Sequence, residues 1–189
     1  MKSIKHILDF LFYSNIFISI CAAAMTVETF VLLHSEIHLV YIVLVFTATM
    51  GLYNLQLFFP GNYLPDQSQR QLWLSENKKT LIIFFVLAII SAGALIWFFP
   101  LNFIIWFLLL SGVAAAYFFP QTKLRSIPGL KEGLVAFVWT CVTVFFPLFL
   151  ISDTRQGFSL ADAQQDLLLQ NFLFLFALSI VFNIRDMEA

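Results

Sequence analysis

Residues 81–119 read "LIIFFVLAIISAGALIWFFPLNFIIWFLLLSGVAAAYFF", with no charged side chain anywhere in the stretch. An α-helix needs about 20 apolar residues to cross a bilayer. Pro100 divides the stretch into two such runs, 81–99 and 101–119. Proline has no N–H for the helical ladder and disfavours helix in the residue before it, so "FFP" reads as a helix stop. The same tripeptide recurs, ending at Pro60, Pro120 and Pro147. The first two of these close apolar runs; Pro147 lies inside one and is expected to kink it.

Outward from this pair, four more apolar runs lie at 8–33, 37–59, 133–151 and 168–184. None alternates with the period of a membrane β-strand, so the expected fold is all-α, with six transmembrane helices in one domain over residues 1–189. Composition agrees. Charged residues are 11% of the chain against 61% hydrophobic, where a soluble domain carries roughly 25% charged. A net charge of −1 gives no reason to expect a nucleic-acid partner. Cys21 and Cys141 both sit in apolar runs and read as small hydrophobes rather than a disulfide or zinc framework. The first run is too long for a signal-peptide core and is expected to stay as a span.

Six spans with a cytoplasmic N-terminus put Lys2, Lys5, Arg70, Lys78, Lys79, Lys123, Arg125, Lys131 and Arg185 on one side, and Arg155 alone on the other. That bias marks the first side as cytoplasmic. Polar groups at membrane depth are costly, and each is a functional candidate. Asn54 falls near the cytoplasmic end of the second run, and Asn183 and Asp186 at the cytoplasmic end of the sixth. The latter two are three apart and share a helix face. An acid at position 190 would pair with Asp186 at i+4, and two such carboxylates could hold one Mg²⁺ together with a substrate phosphate. A charged juxtamembrane turn is the plainer alternative. Lys123, Arg125 and Lys131 could grip a diphosphate on the same side, or simply set topology. Tyr117 reads equally as an interfacial aromatic and as a ligand. Asp9 and Glu28 read as interfacial acids, and His34, Glu36 and His38 as a solvated external turn.

Four segments together resemble the UbiA superfamily of intramembrane prenyltransferases. "YSNIFISICAAAMTVETFVLL" is similar to that family's first helix, with Asn15 at its usual polar position. "TMGLYNLQLFFPGN" stands where the family's first acidic motif belongs, and "YFFPQTKLRSIPGLKEGLVAFVWTCVTVFFP" is similar to its helix 4–5 connection. "FNIRDMEA" is similar to its second acidic motif. The resemblance implies the first six helices of a nine-helix bundle. It also implies Mg²⁺ as cofactor, a prenyl diphosphate donor and a lipid-soluble, often aromatic, acceptor, in a bacterial inner (plasma) membrane with the polar motifs cytoplasmic. Carried over position by position, it makes Asp186 the catalytic Mg²⁺ carboxylate, with Asn183 and Asn54 as further metal ligands. It assigns diphosphate binding to Asn54, Tyr117, Lys123, Arg125, Lys131 and Arg185. The chain departs from the family where the first motif should carry two acids: Phe58 and Asn62 stand there instead. "FNIRDMEA" also reads as a motif cut before its last acid, so the 189-residue chain alone is expected to be inactive. Two other readings stand beside this one: a family member that has lost catalysis and binds lipid or acts as a scaffold, and a six-helix transporter subunit.

Overall fold

The computed structural model describes residues 2–55, 58, 69–118, 129–152 and 162–187, with side chains for 6–55, 58, 72–117, 129–152 and 164–181. Among these residues every regular element is a helix, and there is no strand. The elements are α1 (Lys2–Tyr13), α2 (Ile16–Leu32), α3 (Leu39–Leu55), α4 (Gln69–Glu76), α5 (Lys78–Leu95), α6 (Leu101–Phe118), α7 (Leu130–Thr140), α8 (Phe146–Ile151) and α9 (Asp162–Met187). A 3₁₀ turn, Ile96–Phe98, extends α5, and a π turn, Cys141–Phe145, joins α7 to α8. They divide into two compact units: residues 1–24 with 38–121, and residues 25–37 with 122–189.

Three segments are long and apolar enough to cross a membrane, Lys78–Phe98, Leu130–Ile151 and Gln164–Val181, or up to four if α1 and α2 form one bent span. The apolar parts of α3 and α6 are 17 residues each and fall below that length. The expectation of six spans is therefore met at three to four. The long helices are apolar all round and only sparsely covered by protein. Along α5, Leu87, Ile89 and Ile90 are exposed, as are Leu173, Phe174 and Val181 on α9. A helix of this kind needs an apolar medium on its open sides, which is compatible with a membrane protein.

The run 8–33 is corrected more sharply. It is not one helix: the axes of α1 and α2 differ by 64°. Asn15 causes the break. Its φ is +65°, the left-handed region that asparagine tolerates better than most residues. α1 closes with Ser14 N–H donating to the Phe10 carbonyl (3.0 Å), and α2 opens with Ser19 N–H donating to the Asn15 carbonyl (3.2 Å).

In the first unit α3 and α5 run antiparallel. Tyr41 lies edge-on to Phe99 (6.0 Å) at one end and Phe58 meets Phe85 (5.0 Å) at the other. Gly51 sits between them; a Cβ there would lie 3.0 Å from Ile89 Cδ1 and 3.8 Å from Ala88 Cβ. The absent side chain lets the two backbones approach, as small residues do between membrane helices. Tyr41, Leu44, Val45, Leu81 and Phe103 are fully buried around this contact. Pro100 ends the α5 extension and α6 starts at once, as "FFP" implied: Phe99 is extended (φ −111°, ψ 156°).

In the second unit α7 packs along α9, with Gly133 facing Phe176 and the Ser179 hydroxyl donating to the Glu132 carbonyl (3.3 Å). Pro147 disturbs the helical hydrogen-bond ladder, but the segment Leu130–Ile151 continues through it. Its ring crowds the carbonyl of residue 143 and it offers no N–H. The π turn takes up the extra residue just before it, with Phe146 N–H donating to the Cys141 carbonyl.

Candidate functional site

The polar residues that the structure gathers most tightly lie at the α1–α2 break. Asn54, near the end of α3, is fully buried, as are Ser14 and Ser19; Asn15 is nearly so. The Asn15 amide Nδ2 donates to Asn54 Oδ1 at 2.9 Å, and Asn54 Nδ2 donates to the Ser14 carbonyl at 3.3 Å. Ser19 Oγ donates back to the Asn15 carbonyl at 2.8 Å. The two asparagines thus clamp the broken helix to the end of α3. Ser14 Oγ is buried beside them with no hydrogen-bond partner among the described residues. Along α2 the buried face continues as Ser19, Ala22, Thr26 and Thr29. The spacing of three, four and three keeps these small and hydroxyl side chains on one helix face.

Lys131 stands in the first turn of α7, in the second unit, half-buried. Next to it, Glu132 is buried, and its Oε2 accepts the Gly129 N–H at 2.9 Å. Gly129 has φ +81°, which favours glycine, and Glu132 caps an otherwise open N–H at the positive end of α7. The contacts of Glu132 with Ser179 and of Gly133 with Phe176 place the head of α7 beside the last third of α9. From Ser179, Asn183 follows one turn later and Arg185 and Asp186 nearly two. Lys131 and the helix turns that carry Asn183, Arg185 and Asp186 therefore share one end of the second unit. Asn183, Arg185 and Asp186 are placed as backbone only, their side chains being outside the described residues, and Lys123 and Arg125 are outside them entirely. Tyr117, half-buried, lies near the end of α6 in the first unit with Asn54.

Among the three residues assigned to Mg²⁺, Asn54 is the one whose side chain is described. Its carbonyl oxygen is taken by Asn15 and its amide nitrogen by Ser14. One Oδ1 lone pair and one Nδ2 hydrogen stay outside these two bonds. Among the described residues no group of three or more His, Cys, Asp or Glu could hold a metal ion. Asp186 and Asn183, the other two residues assigned to Mg²⁺, have their side chains outside the described residues.

The sequence reading missed Glu132, the partnership of Asn15 with Asn54, and the hydroxyl stripe on α2. Glu132 had a local signal, an acid three residues after a glycine at the start of an apolar run. The Asn15–Asn54 pair joins positions 39 apart and leaves no local trace. Neither a protein-family model, nor a curated protein, nor a solved structure matches the chain.

Proposed function

We propose that this chain belongs to a UbiA-like, six-span membrane prenyltransferase, which moves a prenyl group from a prenyl diphosphate to a lipid-soluble acceptor. The observation that carries the reading is the shared location of Lys131 and the 183–186 turns at one end of α7 and α9. Lys131 and residues 183–186 belong to the two segments most similar to the family, the helix 4–5 connection and "FNIRDMEA". In this reading α3 and α6, each near the lower length limit for a span, also cross the bilayer. The N-terminus and the basic loops are cytoplasmic.

The chain's own residues then divide the work. Lys123, Arg125, Lys131 and Arg185 hold the diphosphate by charge-assisted hydrogen bonds. Their positive charge favours its departure. The apolar helices keep water from the allylic cation while the acceptor attacks, and aromatic faces stabilise that cation. Mg²⁺, held through Asp186, supplies neutralisation of the leaving diphosphate when bound.

Membranes containing the complete protein, incubated with labelled prenyl diphosphates and candidate acceptors, are expected to form a prenylated lipid only with Mg²⁺. Asp186→Ala is expected to lower turnover by about 10²-fold or more. No product at any prenyl length, or an unchanged rate in the Asp186→Ala protein, would refute the reading. A second reading has a specific observation behind it. The first motif has Phe58 and Asn62 where acids belong, and Asn54 is fully buried and hydrogen-bonded to Asn15 and the Ser14 carbonyl. A family member that binds prenyl lipids without transferring them would show saturable binding of the labelled diphosphate and no product.

A further inference from the structure

Among the described helices α1 has the most one-sided distribution of apolar residues. By helical register, positions 4, 7, 8 and 11 fall on one side, and 2, 5, 6 and 9 on the other. The second set is Lys2, Lys5, His6 and Asp9. Phe10 and Tyr13 attach the helix to the rest of the first unit. Phe10 lies edge-on to Trp73 of α4 (6.0 Å) and Phe84 of α5 (5.9 Å), and Tyr13 meets Trp73 at 5.5 Å. That attachment leaves Ile7, Leu8 and Phe12 open, with exposures of 60, 46 and 51%. The open face does not stop at the bend. The Phe12 ring meets Phe17 at 4.7 Å across it, and Phe17 and Ile20 are exposed on α2.

We infer that α1 lies in the headgroup layer of the bilayer, with Ile7, Leu8 and Phe12 in the acyl boundary, rather than forming the first turns of a span. The occupant of the open face is lipid, because that face is continuous with the exposed apolar surface of α2. The 64° bend sets α1 nearer the plane of a bilayer that α2 crosses than its normal. Tyr13 at the end of α1 and Trp73 packed against it are residue types that settle at membrane interfaces. Basic residues opposite an apolar face characterise helices that lie on anionic membranes. Lys78 and Lys79, exposed at the start of α5, add charge next to α4.

The inference rests on the membrane reading, and depth measurement separates the two. Single-cysteine proteins would be made in a Cys21→Ala, Cys141→Ala background: Leu8→Cys, Asp9→Cys and Phe12→Cys on α1, and Ile90→Cys on the exposed face of α5. Each is spin-labelled and reconstituted into phosphatidylcholine–phosphatidylglycerol vesicles. Collision rates with oxygen and with a water-soluble nickel chelate then report depth. The expected result has the Ile90 label deep in the acyl layer, Leu8 and Phe12 shallow and just below the phosphates, and Asp9 in water. If the Ile90 label is deep but depth rises steadily through Leu8, Asp9 and Phe12, α1 is part of a span and the inference fails. If Leu8 and Phe12 are as wet as Asp9, the open face does not meet lipid and it fails as well. An Ile90 label outside the acyl layer would overturn the membrane reading itself.

Discussion

Asn15 does two jobs that a different side chain would separate. Its backbone takes the left-handed conformation that breaks the first run, and its amide donates to Asn54. Asn15→Gly keeps the turn and loses the bond; Asn15→Leu loses the bond and strains the turn. We therefore expect Asn15→Leu to destabilise the protein by about 1–2 kcal/mol more than Asn15→Gly. Asn54→Leu strands the Asn15 donor in a buried site and should cost about 1–3 kcal/mol. Reversible unfolding in mixed micelles measures all three. If Asn54→Leu unfolds like the parent protein, the clamp contributes nothing. The presence of polar residues here was legible, since Asn15 and Asn54 interrupt apolar runs. Their pairing was not, because each reads locally as a lone interfacial amide. The break was hidden for a related reason: a window of about 20 residues averages Ser14 and Asn15 into their apolar neighbours, while the conformation that bends the chain belongs to one residue.

At the scale of elements, α3 and α5 depend on Gly51. A Cβ at that position would come within 3.0 Å of Ile89 Cδ1, the far end of a flexible side chain. Gly51→Ala is expected to be tolerated within about 1 kcal/mol if Ile89 rotates away. Gly51→Phe should cost about 1–3 kcal/mol or more by forcing the helices apart. The same unfolding measurement, with Ile89→Ala as partner in a double-mutant cycle, tests the contact. Additive effects would mean that Gly51 and Ile89 do not touch. Helix positions were largely legible, because apolar runs and the "FFP" stops are strong local signals; Pro100 separates α5 from α6 where the sequence indicates. Pro147 was legible as a disturbance but not as a π turn. Whether a proline bends a helix or is absorbed by one extra residue depends on how the buried Thr143, Val144 and Phe146 pack, and packing is not a local property. The end of the run 37–59 beyond Leu55 lies, apart from Phe58, outside the described residues.

At the scale of the whole molecule, composition dictates an apolar environment, and the exposed surfaces of α5 and α9 agree with it. The number of spans is less secure in the sequence than the helices themselves, because 17-residue apolar segments stand at the length where a helix either crosses or stops short. The proposed chemistry depends on which side of the bilayer each end faces. Lys131, Arg185 and Asp186 can act on one diphosphate only if all of them open to the same side of the bilayer. Topology is therefore the most direct test. Single cysteines at Glu36, Glu76, Lys131 and Arg155, in the cysteine-free background, would be treated with a membrane-impermeant thiol reagent in right-side-out and inverted vesicles. Six spans predict that Glu76 and Lys131 react from the cytoplasmic face alone, and Glu36 and Arg155 from the opposite face alone. Labelling of Glu76 and Lys131 from opposite faces would contradict the six-span account.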